Sequence, residues 1–407
     1  MKKVITIQGQ NFINQSGEKI ILNGLNIVCK SPSMGFIFEM GQTDWERLAR
    51  WKVNVVRFGI NWSGLEPLPG QIDSGYLDRI EEQVDAFQAH GIPVFLDMHQ
   101  DLFSIRYSNG APFWATMSHG QHVRKGEWYH AYHLSEAVQT ATDAFWANTT
   151  AADGVGLTDH FAAVWKAVAK RFANHPNVIG YDMYNEPIQG SPCRELGRTL
   201  IQGLAEWYGE KIGRTVTWEE AYGFYFDQQR YHAALPDMTS DDLLKIQAKA
   251  FPFTEAFDTL TLQPFYEKVA TAIREVDQDS LLFVCNSNQT NNGTASALKP
   301  LVVNGKRDPN QVFAPHAYDL ICDAPVQNAY SQARVDAMFI QHKKLANKYA
   351  WPMLAGEWGA FPRESYTSCK KYRDTRTLFE RLDVSQTYWD YQPGTPVFFF
   401  DEVFGYE

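Results

Sequence analysis

Short runs of β-branched and apolar residues alternate along the chain with stretches whose apolar positions recur every three or four residues. The first kind suits strands covered on both faces, and the second suits amphipathic helices packed against them. Eight runs read as strands: 21–28, 53–59, 92–98, 178–184, 281–286, 311–317, 352–357 and 385–391. Helical spacing covers 43–51, 76–90, 159–173, 263–276 and 333–349. The first of these helices has a start signal at Thr43, with Glu46 three residues on. Strands alternating with helices predict a parallel sheet, and eight of them predict a (β/α)8 TIM barrel of the α/β class. Ahead of the barrel, residues 1–20 read as a short β-hairpin turning at Ser16-Gly17 and plugging the barrel's N-terminal end.

Two connections are too long for simple loops. Residues 102–158 follow the third strand and 188–262 the fourth, and both are rich in aromatics such as Trp114, Trp128, Tyr222 and Tyr225. Insertions after barrel strands lie on the active face, so these are expected to wall or cover a cleft. A small helical subdomain with its own core is the alternative, compatible with the first. The rest of 1–407 reads as one domain with no C-terminal β-sandwich, and FFFDEVFGYE after the eighth strand leaves little room for a final helix.

Composition narrows the function. Hydrophobic residues at 44% and charged residues at 21% are those of a globular protein. Aromatics reach 14%, with 12 Trp and 19 Tyr, and flat rings stack well on the C–H faces of sugars. A net charge of −10 excludes nucleic acid and acidic membrane surfaces as partners. The five cysteines are scattered without a CxxC, which suggests neither a disulfide frame nor a zinc site. The start, MKKVITIQGQNF, lacks the apolar core of a signal peptide, and no apolar run reaches membrane-spanning length. A cytoplasmic protein without an integral membrane span is expected.

The polar residues at the strand ends carry the chemistry. Strand two offers Arg57, strand three Asp97, His99 and Asp101, and strand four Asn185 and Glu186. Strand six offers His316 and Tyr318, strand seven Glu357, and strand eight Trp389. Chemistry in such barrels gathers at the C-terminal strand ends. Two glutamates ending strands four and seven suit glycoside cleavage, where one carboxyl protonates the leaving oxygen and another attacks the anomeric carbon. Their environments must differ, so that one keeps its proton while the other stays ionised. Arg57 and Tyr318 are expected to donate to Glu357 and keep it anionic, leaving Glu186 as the acid/base. Asn185 is placed to donate to a sugar 2-hydroxyl, and Asp97, His99 and Asp101 to bind other hydroxyls.

Rival chemistries are weaker. His99, His316 and an Asp of DMHQD or HAYDLICD could form a two-histidine carboxylate metal site, but no HExxH occurs. No GxSxG elbow and no GxxxxGK[ST] loop is present, and GVG at 154–156 is a weak dinucleotide signal.

The motifs NGLN, VVRFGINW, NEP, HAYD and GEWG, taken in order, resemble family 5 of the glycoside hydrolases. NIVCKSP, LDMHQD, YDMYNEP and YWDY resemble its endoglycoceramidase branch more narrowly. The resemblance implies a (β/α)8 barrel and a retaining mechanism, with Glu186 as acid/base and Glu357 as nucleophile. It implies Lys30, Asp97, His99, Asn185, His316, Tyr318 and Trp389 around the first sugar, and no metal or organic cofactor. The expected activity is cleavage of a β-glucosyl or β-galactosyl conjugate, of the glycosylceramide type or with another hydrophobic aglycone such as a sterol or aryl group. A β-1,4-glucanase or mannanase of the same family is the alternative within enzymes, and a carbohydrate-binding barrel without turnover the alternative outside them. Retention of both Glu186 and Glu357 disfavours the last.

Overall fold

The computed structural model describes residues 3–322, 328–363 and 365–404. Two residues of the expected hairpin, Asp323 of the HAYDLICD stretch and the last three residues of FFFDEVFGYE lie outside these. Three short antiparallel strands come first: β1 (Ile5–Gln8), β2 (Asn11–Asn14) and β3 (Lys19–Ile20). The expected turn at Ser16-Gly17 joins the second pair, and a further turn at Gly9, with φ of +59°, joins the first. The segment is thus a three-stranded meander rather than a single hairpin.

The parallel strands β4 (Asn23–Ile27), β5 (Val55–Ile60), β6 (Val94–Met98), β7 (Val178–Asp182) and β8 (Leu281–Val284) pair in chain order. A small hairpin of β9 (Val302–Val303) and β10 (Lys306–Arg307) precedes the sixth barrel strand. That strand is split at Ala314-Pro315 into β11 (Gln311–Phe313) and β12 (His316–Ala317), because proline withholds the ladder donor. The seventh is split at Gly356 into β13 (Leu354–Ala355) and β14 (Glu357–Trp358). A Cβ at Gly356 would lie 2.8 Å from His316 Nε2, so only glycine lets the two strands approach here. The eighth, β15 (Ser385–Tyr388), pairs with β4, and the ring closes through a Phe313–Met353 bridge and the β12–β14 ladder.

Alternation along these strands divides the molecule into two apolar regions. Inward residues Val55, Phe95, Ile179, Leu281, Phe283, Val312 and Leu354 fill the lower barrel together with Ile5 and Phe12 of the meander, which caps it. Outward residues, among them Val56, Phe58, Leu96 and Met98, meet the surrounding helices in the larger core. Above the apolar layer the inward positions turn polar. Asn26 faces Arg57 in the β4–β5 register, and Asp97 faces Asp182 in the β6–β7 register.

The helices fall close to their predicted spans: Gln42–Arg50, Ser74–Ala89, Leu157–Phe172, Gln263–Arg274 and Gln332–Tyr349. The first starts two residues earlier than Thr43 suggests. Its cap is Gly41, whose N–H donates to the Asp44 carboxylate at 2.9 Å, so Asp44 takes the part expected of Glu46. A long helix at Tyr366–Leu382 was not read from its charged sequence. A short helix at Phe398–Phe404 does follow the eighth strand, correcting the expectation of little room there. It seats Phe400 on Trp51 with ring centroids 5.1 Å apart.

The second long insertion is helical, with segments Cys193–Ile212, Trp218–Phe226, Gln228–Ala234, Ser240–Ala248 and Phe251–Phe257. Its buried Leu204, Trp207, Phe224 and Leu243 belong to the same contiguous core as the barrel's outer face. It has no separate core of its own.

Phe95 stacks on Phe283 at 4.2 Å in the lower barrel, and both are fully buried. Phe95→Ala is expected to cost about 3–5 kcal/mol by leaving a cavity there. Urea unfolding reads this directly; an unchanged midpoint contradicts the packing described.

Candidate active site

Arg57 stands at the centre of the barrel mouth, fully buried, with all five N–H donors occupied. Nε donates to Asp182 at 2.8 Å, Nη1 to Glu357 at 2.6 Å and Asn26 at 3.1 Å, and Nη2 to Asp97 at 2.7 Å and Asn185 at 2.9 Å. A guanidinium offers five donors in a rigid fork, and here each finds an acceptor. Three of those acceptors are carboxyl groups facing one positive charge. Burial raises Asp97 and Asp182 to about 7, against the pull of Arg57.

Glu186 and Glu357 lie beside this fork. The strand pairing of His316 with Glu357 sets the imidazole between them. His316 Nδ1 is 2.8 Å from Glu186 Oε1 and 3.6 Å from Glu357 Oε2, and one oxygen of each carboxyl lies within 4.8 Å of the other. Glu357 also accepts from the Tyr318 hydroxyl at 3.0 Å. Burial pushes both glutamates up to about 7. Their partners differ in charge. Glu357 is bonded to the Arg57 cation, whereas Glu186 accepts from the neutral amides of Asn288 at 2.8 Å and Asn291 at 2.7 Å. Burial drives the His316 imidazolium form down to about 3, so the ring between them is neutral. With one guanidinium among four carboxyls, Glu186, which does not touch it, is the group that holds a proton most readily.

The turn that presents Glu186 is strained. Its φ is +43°, a region non-glycine residues seldom enter. Gln100 secures it by donating its Nε2 to the carbonyls of Asn185 at 2.8 Å and Glu186 at 3.1 Å.

A cleft of about 1050 Å³ opens over the two glutamates. Lys30, His99, Asp101, Tyr318 and Trp389, all expected from sequence, line it. Lys30 Nζ contacts Asp101 at 2.6 Å and sits 4.5 Å over the Trp389 ring, on which His99 also stacks. His99 Nδ1 meets Asp97 at 2.7 Å, and its Nε2 is buried with no hydrogen-bond partner among the described residues, placed to accept from a ligand hydroxyl. Burial opposes ionisation of Asp101, but Lys30, His99 and Asn109 together hold its pKa below the usual range.

Asp97 is not on the cleft wall, a correction to its expected contact with substrate. One oxygen serves Arg57 and the other His99, so it orients groups instead. Asn185, Arg57 and His316 likewise stand one layer behind the surface. Asn185 turns Oδ1 to Arg57 and donates Nδ2 to the Gln100 carbonyl at 3.0 Å.

Sequence reasoning missed Asn26, Gln100, Asp182, Asn288 and Asn291. Asn26 and Asp182 each end an inward strand position, a signal the alternation carries. Asn288 and Asn291 lie in the amide-rich run SNQTNN after the fifth strand.

Among the described residues the expected rival metal set of His99, His316 and an Asp does not assemble. Among the described residues the one grouping with metal-ligand spacing is Glu186, His316 and Glu357. Its atoms are taken by Asn288, Asn291, Arg57 and Tyr318, and a cation there would face the guanidinium, so the donor set fits a metal poorly.

Comparison with known proteins agrees with this fold. The family described as Cellulase (glycosyl hydrolase family 5) matches residues 13–395. The endoglycoceramidase I of Rhodococcus hoagii (strain 103S) is 34% identical over 192 residues, 46% of this chain and 38% of that protein. The endoglycoceramidase of Cyanea nozakii is 29% identical over 226 residues, 48% of this chain and 44% of that protein. The matched stretch thus spans less than half the length of these curated relatives. The structure of endo-glycoceramidase II from Rhodococcus sp. in a cellobiose-like imidazole complex superposes with a TM-score of 0.72. It is 25% identical, with 96% of this chain and 80% of that one covered.

Burial raises Asp97, Asp182 and Glu186 to about 7, so in the folded protein they take up protons near neutral pH while Glu357 remains the anion beside Arg57. The unfolded chain releases them in the ordinary carboxylate range. Each of the three therefore adds stability that is full at low pH and lost as pH rises through about 7. Asp182→Asn removes one such group, so the fall in unfolding free energy from about pH 5 to about pH 8 should be shallower than in the wild type. Denaturant titrations across that range check it; parallel pH dependences in the two proteins contradict it.

Proposed function

The chain belongs to glycosyl hydrolase family 5, and from that membership we propose that it is a retaining β-glycoside hydrolase acting on a glycolipid. The observation that carries the reading is the carboxyl pair, one oxygen of each within 4.8 Å of the other and only one of the two bonded to a cation. Separations of about 5–5.5 Å between carboxyl groups belong to double displacement, whereas inverting enzymes leave about 6.5–9.5 Å for a water.

In the first step Glu357 attacks the anomeric carbon as Glu186 gives its proton to the departing oxygen. The glycosidic bond breaks, the aglycone leaves as an alcohol, and a glycosyl ester of Glu357 remains. Esterification removes the charge of Glu357 and its repulsion of Glu186, so Glu186 is better able to stay ionised. It then takes a proton from water, whose oxygen attacks the anomeric carbon and frees Glu357, with configuration retained overall. Arg57 and Tyr318 stabilise Glu357 as the anion before and after the ester.

The cleft supports an amphiphilic substrate. Its floor near Glu357 is polar, with Lys30, His99 and Asp101, while Leu200, Leu204, Met238, Leu243 and Ile246 of the second insertion line another part. A sugar suits the first and a hydrocarbon aglycone the second. A glucan would gain nothing from the aliphatic lining. The relatives named endoglycoceramidase point the same way. The sugar is glucosyl or galactosyl, and the site works without a metal ion.

Glu357→Ala and Glu186→Gln are expected to lower turnover at least 10²–10⁴-fold, about the worth of positioned proton transfer. Activity should fall on the alkaline side near pH 7 as Glu186 loses its proton and should survive EDTA. A hydrolysis panel of glucosylceramide, galactosylceramide, a sterol glucoside and cellohexaose, with product stereochemistry read by NMR, tests both reaction and substrate. Inverted product, or turnover confined to cellohexaose, contradicts the reading.

A further inference from the structure

The two oxygens of Glu186 are not equivalent. Oε1 lies on the buried side and accepts from Asn291 Nδ2 at 2.7 Å, with His316 Nδ1 at 2.8 Å. Oε2 lies on the side nearer solvent and accepts from Asn288 Nδ2 alone, at 2.8 Å. A carboxyl oxygen has two lone-pair positions, so two donors fill Oε1 and one donor leaves a place open on Oε2.

The surroundings of His316 suit a donor role for Nδ1. Its Nε2 faces the Cys285 thiol at 3.7 Å, and burial keeps that thiol protonated. With its hydrogen on Nδ1, directed at the Glu186 carboxyl oxygen 2.8 Å away, the ring leaves Nε2 as an acceptor beside that thiol. The asparagines are fixed. The backbone N–H of Asn288 donates to the Pro187 carbonyl at 2.8 Å, and the carbonyl of Asn291 accepts from the Tyr318 N–H at 3.2 Å.

We propose that Asn291 and Asn288 are positioning residues for proton delivery, Asn291 closing Oε1 with His316 so that the mobile proton sits on Oε2, and Asn288 aiming Oε2 into the cleft. This rests on the reading of Glu186 as the acid/base. The charged and titratable groups around Glu186 include Lys30, Arg57, Asp97, Asp101, Tyr132, Cys285, His316, Tyr318 and Glu357, and none of these donates to Oε2. Asn288 alone among the described residues holds that oxygen. Both asparagines come from the turn Asn288–Asn292 after the fifth barrel strand, so a segment with no reacting group sets the geometry of one that has.

The consequence is a dependence on the leaving group. Departure of an alkyl alcohol needs the proton, whereas departure of dinitrophenolate does not. Asn288→Ala and Asn291→Ala are compared with the wild type on alkyl and dinitrophenyl β-glycosides, using the ratio of the two kcat/KM values. Loss of folded enzyme scales both values equally and leaves the ratio unmoved, so only misdirected proton delivery changes it. The ratio of alkyl to dinitrophenyl activity is expected to fall at least about tenfold in each variant, a part of the 10²–10⁴ that positioned acid catalysis supplies. Glu186→Ala, run alongside, should show a larger fall. An unchanged ratio in both asparagine variants, with the fall present in Glu186→Ala, overturns the proposal. An unchanged ratio in Glu186→Ala as well overturns the assignment of Glu186 itself.

Discussion

One guanidinium organises the mouth of this barrel. Arg57 is fully buried and bonded to acceptors on or just past the first, third, fourth and seventh barrel strands: Asn26, Asp97, Asp182, Asn185 and Glu357. A buried charge is tolerable only when its donors are all met, and five acceptors converging on one planar fork allow little freedom in where each strand ends. The same fork fixes the electrostatics. Asp97, Asp182 and Glu357 are bonded to it and Glu186 is not, so two glutamates of similar burial are left with different partners.

The fold below serves that layer by keeping water out. Phe95, Phe283, Val55 and Leu354 fill the barrel beneath Arg57, and Ile5 and Phe12 of the meander cover its base. A dry floor is what raises the carboxyls above it to about 7. The strained backbone at Glu186 belongs to the same arrangement. Gln100 ties its carbonyl, and Asn288 and Asn291 hold its side chain, so the unusual conformation is met by bonds on every side.

Much of this was legible in the sequence because the period-two alternation of a barrel strand leaves its polar exceptions conspicuous. Arg57, His99, Glu186, His316 and Glu357 are polar residues in or at the ends of apolar runs, which makes the two glutamates proposed to carry the chemistry candidates from sequence. Asp97 was misjudged since a strand end specifies an inward direction but not a depth, and depth separates a residue that touches a ligand from one that aims its neighbour. Asn288 and Asn291 escaped notice because they sit in an irregular turn, where no periodicity marks which amide points inward. The helix Tyr366–Leu382 was obscured by its charged surface, although Cys369, Tyr372, Leu378 and Phe379 are buried on one side of it. The split of the sixth and seventh strands depends on Pro315 and Gly356, whose effect is clear only once His316 and Glu357 are seen to pair across the gap.

The second insertion gives the site its particular character, adding an aliphatic lining to a polar floor without departing from the common core. Everything chemical nonetheless turns on Glu357 being the anion that Arg57 holds. The most direct measurement is mass spectrometry of the enzyme after reaction with a slow-turnover fluoroglycoside, which arrests a double displacement at the glycosyl ester. The expected result is one sugar per chain, on the peptide that carries Glu357. A label on Glu186, or hydrolysis with inverted configuration and no label at all, would contradict that role.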